Sequence, residues 1–116
     1  MSGRRPELLL KDILNAIEKV ERYTEGLSYQ DFLEDEKTKD AVLRNLEVIG
    51  EAVSNLPEDF KKKHHSVPWK AIKGLRNRLI HGYFVIDFSI VWQVVKEELP
   101  SLKVKILEIL KEIQNN

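Results

Sequence analysis

The chain has 116 residues, a third of them charged, with 19 Lys plus Arg balanced by 19 Asp plus Glu and no cysteine. That length suits one domain with one core, and the missing cysteines exclude disulfides, thiolate metal sites and a cysteine nucleophile. No run approaches the roughly 20 apolar residues of a membrane span, and the opening MSGRRPELLLKD is too short and charge-broken for a signal peptide, so a cytoplasmic protein without membrane contact is expected.

ELLLKDILNAIEKVERYT sets Leu9, Ile13, Ala16, Ile17 and Val20 at helical spacing, with Gly26 placed to stop that helix. SYQDFLED reads as a turn or short helix. In KTKDAVLRNLEVIGEAVSNL, Val42, Leu46, Ile49, Val53 and Leu56 share one face of a second helix until Pro57 interrupts it. PEDFKKKHHSVP reads as a single helical turn opened by Pro57, then a connector from which Ser66 or Pro68 starts the next helix. WKAIKGLRNRLIH predicts a third continuous helix, with Trp69, Ile72, Leu75 and Leu79 buried and Gly82 ending it. A fourth starts at Asp87 as its cap and runs through FSIVWQVVKEELPSLKVKILEIL, kinked or divided at Pro100.

The sum is an all-α protein: one domain over residues 1–116, an antiparallel four-helix bundle with a short extra helix and a kinked or split last helix. Ile90, Val91, Trp92, Val94 and Val95 make the last helix apolar on more than one side, which predicts a dimer interface there. Trp69 and Trp92 read as core or dimer anchors rather than base-stacking platforms. Gly50 and Gly74, inside predicted helices, suggest close helix approach.

Zero net charge hides a partition. From Glu25 to Asp59 there are ten acidic and three basic residues, whereas Phe60 to Ile86 holds seven Lys and Arg, all three histidines and no acid. Either the second window is a solvated charge run or it faces a polyanion. Adjacent His64 and His65 do not share a helix face, so no metal site is expected, and Glu47 and Glu51 read as solvated carboxylates without a catalytic role.

Within the basic window, RNRLIHGYF concentrates Arg76, Asn77, Arg78, His81 and Tyr83. Arg76 offers planar donors matched to phosphate oxygens, and a histidine exchanges protons near neutral pH. Those groups are the components of metal-independent RNA cleavage, in which a ribose 2′-hydroxyl attacks its own phosphodiester while a cation stabilises the phosphorane. On an ideal helix Arg76 and His81 lie about 140° apart, so they converge only through the length of Arg76 and the nearness of the helix end. By spacing alone, catalysis and an incidental polar face both stay open.

VPWKAIKGLRNRLIHGYFVID strongly resembles the core of the HEPN superfamily, in particular the HepT-like toxins, whose pattern is Arg, four residues, His, one residue, Tyr. Arg76, His81 and Tyr83 match it in order and spacing. AVLRNLEVIGEAVSNLP resembles the second helix of these proteins and IVWQVVKEELPSLKVKI their last, so nearly the whole chain is covered. The resemblance implies a homodimeric toxin that cleaves RNA without metal or cofactor, with Arg76 stabilising the scissile phosphate, His81 moving protons, and Asn77 orienting the pair. Lys73 and Arg78 become candidates for contact with the RNA backbone. The partner it implies is a minimal nucleotidyltransferase antitoxin that attaches adenylate to Tyr83 and so places an anion where RNA should bind. Two other classes fit the residues: a non-catalytic module that binds nucleotide or the nucleotidyltransferase, and a purely structural helical dimer.

Overall fold

A computed structural model of the chain describes residues 3–81 and 85–115, with His81 described by its backbone. Helix α1 (Pro6–Thr24) opens with a proline in its first turn, where a missing N–H is harmless, and closes before Gly26, whose φ of 76° is the left-handed turn a side chain would strain. Helix α2 (Tyr29–Glu34) starts from a reciprocal cap. The Asp31 N–H donates to Ser28 Oγ at 3.0 Å, and the Ser28 N–H donates to Asp31 Oδ2 at 3.1 Å. Asp35 caps α3 (Glu36–Asn55) by accepting the backbone N–H and the hydroxyl of Thr38, and these bonds hold its carboxyl below the usual carboxylate range.

The predicted stripes of α1 and α3 are the core. Ile13, Ile17, Val20, Val42, Ile49 and Val53 are fully buried, and α1 lies along α3 with their apolar faces together. Helix α4 (Glu58–Lys63) follows Pro57. Its connector to the next helix is tied down: Trp69 Nε1 donates to the His64 carbonyl at 3.0 Å, and Lys105 Nζ reaches the Ser66 carbonyl at 2.7 Å. His64 packs on the Phe60 ring at 4.5 Å and approaches Glu112, so this part of the basic run is structural.

The third predicted helix is not continuous. It divides at Gly74 into α5 (Trp69–Lys73) and α6 (Leu75–Leu79), and the chain becomes extended at Ile80 (φ −91°, ψ 126°), before the expected stop. Ile80–His81 forms strand β1, paired antiparallel with β2 (Val85–Ile86) in the register Ile80 to Ile86 and His81 to Val85. Gly82 lies outside the described residues. The Asp87 N–H donates to the Leu79 carbonyl at 2.8 Å, and the Asp87 side chain caps α7 (Phe88–Gln93) through the N–H groups of Ser89 and Ile90. Extended backbone thus satisfies its polar groups across the hairpin instead of within a helix.

The last helix divides as expected, but through a widened turn. A π-helical segment (Val94–Glu98) joins α7 to α8 (Leu99–Gln114), and the Leu99 N–H reaches back five residues to the Val94 carbonyl. Pro100 lies at the start of α8 and has no N–H to return to the preceding turn, which accounts for the wider pattern there. The backbone stays right-handed helical throughout.

The apolar girth near Trp92 is used within the chain rather than left outside it. Val91, Val94 and Val95 are buried, and Trp92 packs on Phe32 at 4.9 Å and Tyr29 at 6.0 Å, so α2 covers what the periodicity left over. On α8 the exposed apolar residues are Val104 and Leu107. Lys103 pairs with Glu21 at 2.8 Å, joining α8 to α1.

Candidate active site

Helix α6 is five residues of which two are buried, Leu75 and Leu79, while Arg76, Asn77 and Arg78 are exposed. On an ideal helix Leu75 and Leu79 define one line, Arg76 and Arg78 flank it at about 80° on either side, and Asn77 points directly away. The two arginines therefore serve different faces.

Arg76 faces a cleft of about 750 Å³ between α1, α3 and the α5–α6 segment. Lys73, Lys19, Arg44, Glu47 and Glu51 share its walls, with apolar side chains at the floor. Among the described residues Arg76 and Lys73 enter no ion pair, so their donors are available to a ligand. Glu47 and Glu51 sit one helical turn apart on α3, and both are exposed. They were expected to be solvated, and they are, but they also border the cleft.

Arg78, the other candidate for contact with RNA, is paired within the chain. Its guanidinium forms a bidentate pair with Glu98 of the π segment, at 2.9 and 2.6 Å. The hydrogen bonds raise the arginine's pKa and hold the glutamate's below the usual carboxylate range. A phosphate would have to displace a carboxylate from a matched fork to reach it. The basic window lacks acids in sequence but not in space.

Asn77 does not border the cleft, as its position on α6 requires. Because β1 replaces the last helical turn, His81 follows Arg76 across a change from helix to strand, and its backbone pairs with Val85. The relation of about 140° expected from a continuous helix therefore does not apply. The His81 side chain and Tyr83 lie outside the described residues. Trp69 is buried and Trp92 is half-buried against rings of its own chain, in keeping with core anchors. Gly50 lies where α3 passes α5, its added Cβ 3.8 Å from the Ile72 carbonyl, whereas Gly74 is the junction between α5 and α6.

Comparison with known proteins decides the family. A profile described as "Ribonuclease HepT-like" matches residues 13–109. The chain belongs to the HepT-like ribonuclease family. Three curated relatives are similar over most of the length of both chains. A protein of Thermococcus cleftensis named "Probable ribonuclease HepT" is 47% identical over 102 residues, 88% of this chain and 93% of its own. One of Methanocaldococcus jannaschii named "Putative RNase MJ0127" is 47% identical over 105 residues, 90% and 87% of the two chains. A third, of Caldanaerobacter subterraneus, named "Putative RNase TTE0752", is 42% identical over 108 residues, 93% and 96%. No solved structure matches. Membership in this HepT-like family fits the all-α fold, and the matched span includes both arginines and most of the cleft.

The residue that sequence reasoning missed is Glu98. It stands twenty positions from Arg78, and its direction depends on a π turn: Pro100 in VVKEELP signals a break in the helix, but not where the turn would aim Glu98. The one available signal was negative: seven cations without an acid between Phe60 and Ile86 had to find counter-charges elsewhere.

Proposed function

We propose that this chain is an endoribonuclease that cuts RNA without a metal ion, acting as the toxin of a toxin–antitoxin pair. The observation that carries the reading is Arg76, exposed in a cleft with no ion pair among the described residues, in a chain of the HepT-like ribonuclease family. In the reaction the ribose 2′-oxygen bonds to phosphorus as its proton leaves, the bond to the 5′-oxygen breaks, and that oxygen takes up a proton. Arg76 supplies charge to the phosphorane oxygens, and His81 moves one of the two protons. Lys73, on the same wall, holds the RNA backbone. Asn77 acts from the outer face of α6, where it meets a second chain or the substrate. A homodimer bringing two such motifs together would supply both protonic roles, and Val104 and Leu107 offer it apolar surface.

Tyr83, two residues beyond His81, is the proposed acceptor for adenylate from a minimal nucleotidyltransferase partner. The added phosphodiester would compete with RNA for Arg76 and fill the cleft.

RNA is incubated in chelator with wild type, Arg76→Ala and His81→Ala. Cleavage by wild type and its loss in both folded variants are expected, whereas unchanged turnover in the variants would overturn the assignment. Incubation with the partner and ATP should add adenylate mass to wild type and silence it. Tyr83→Phe should stay active and unmodified, and a Tyr83→Phe variant modified equally well would remove the tyrosine from the proposal. A monomeric mass at micromolar concentration would remove the dimer.

A further inference from the structure

Helix α6 is too short to hold its own shape, since a single turn gains almost nothing from its internal hydrogen bonds. Gly74 separates its first end from α5, while its last residue is tied by the Asp87 N–H on the Leu79 carbonyl at 2.8 Å and by the pairing of β1 with β2. What anchors it is the buried line of Leu75 and Leu79. The two leucines and the tie at Leu79 lie on one line, so they set the helix's position more firmly than its rotation about that line. With Arg76 and Arg78 at about 80° on either side, any rocking that lowers one arginine lifts the other.

We infer that Glu98 is a positioning residue: by clamping Arg78 from the π segment, it fixes the rotation of α6 and turns Arg76 into the cleft. This rests on the ribonuclease reading above and adds a control to the same site. The clamp has the geometry for the task. Nη1 donates to Oε1 at 2.9 Å and Nη2 to Oε2 at 2.6 Å, and a matched planar fork restrains orientation as well as distance. Its far end is firm, because Leu99 and Val95 beside it are buried and α8 is tied to α1 and to the α4–α5 connector. The π turn also has a purpose on this reading. It takes up one extra residue, so Glu98 is offset from the register α7 would have given it.

The rival account makes Arg78 an RNA ligand held in check by Glu98, and it predicts the opposite sign. Freeing Arg78 with Glu98→Gln should then tighten RNA binding and steepen its dependence on salt. If Glu98 positions Arg76 instead, Glu98→Gln and Arg78→Ala both misplace the transition-state cation. Each should lower kcat on the order of 10-fold to 100-fold, with KM and the salt slope unchanged within about twofold. The double variant should be no worse than the worse single, because both break one interaction. The pair is about 40% exposed on each side, so the variants should melt with wild type.

The test combines kcat and KM for an RNA substrate at several salt concentrations with amide exchange of residues 75–79, for wild type, both singles and the double. A non-additive loss of kcat with faster exchange in α6 is the expected result. A lower KM with steeper salt dependence in Glu98→Gln, additive losses, or unchanged kcat and exchange would each overturn the inference. If wild type itself fails to cleave RNA, the ribonuclease reading falls, and exchange in α6 still judges the clamp: no acceleration in Glu98→Gln would overturn it.

Discussion

Helices α1 and α3 run for 19 and 20 residues and bury one continuous stripe each, whereas the stretch from Trp69 to Ile86 is assembled from elements of two to five residues. The first pair is specified locally, by period, caps and a proline at a tolerant position. The second holds together only through partners elsewhere: the Leu79 carbonyl takes the Asp87 N–H, Trp69 donates to the His64 carbonyl, and Arg78 depends on Glu98. The proposed chemistry sits in the second region, on a scaffold made by the first. A short segment held by side chains can aim a cation in a direction that a long helix would not allow, at the expense of relying on each tether.

Mutations should separate the two regions. The largest expected effect is Arg76→Ala, with cleavage falling on the order of 10²-fold to 10³-fold and the melting temperature unmoved, since the side chain is exposed and unpaired among the described residues. Comparable in energy but opposite in kind is Ile49→Ala in α3. Removing a fully buried side chain should lower unfolding free energy by about 2–5 kcal/mol in denaturant titration, while kcat per folded molecule stays near wild type. A drop in kcat there would mean that scaffold and site are not separable. Next comes Ser28→Ala, which removes one half of the α2 cap and should lower stability by about 1 kcal/mol without touching cleavage.

Gly50→Ala should act in the other direction. The nearest non-local atom to the new methyl is the Ile72 carbonyl at 3.8 Å, an ordinary contact, so the helix-propensity gain of about 0.5–1 kcal/mol should appear as a higher melting temperature. A lower one would show that α3 and α5 approach more tightly than that contact implies. The smallest effect on global stability is in pH. Glu98 has its carboxyl held below its ordinary value of 4.5, so the clamp is complete above that pH and is released as pH falls through the depressed value. Protection of α6 amides should fall in that acid window before the melting temperature does, and Glu98→Gln should lack the transition.

How much of this was legible follows the same division. Every core position read from the periodicity of α1 and α3 is buried, and Asp87 caps α7 as expected. Gly74 and the change of direction at Ile80 were not legible, because WKAIKGLRNRLIH has an unbroken helical period and the break answers to the Asp87 and Val85 backbones across the hairpin. The apolar surplus near Trp92 was visible, but its use was not: the rings of α2 that cover it lie about sixty residues earlier in the chain.

Hydrophobic period, caps and short motifs act over a few residues, so the helical class, the two long stripes and the RNRLIHGYF cluster with its family resemblance were all readable along the chain. Helical spacing already sets Arg76 and Arg78 on opposite sides of α6, but the company each keeps, a cleft for one and Glu98 for the other, comes from the packing of distant elements. The carboxylate that separates them arrives from a widened turn twenty residues away, and its direction depends on how α8 packs on α1.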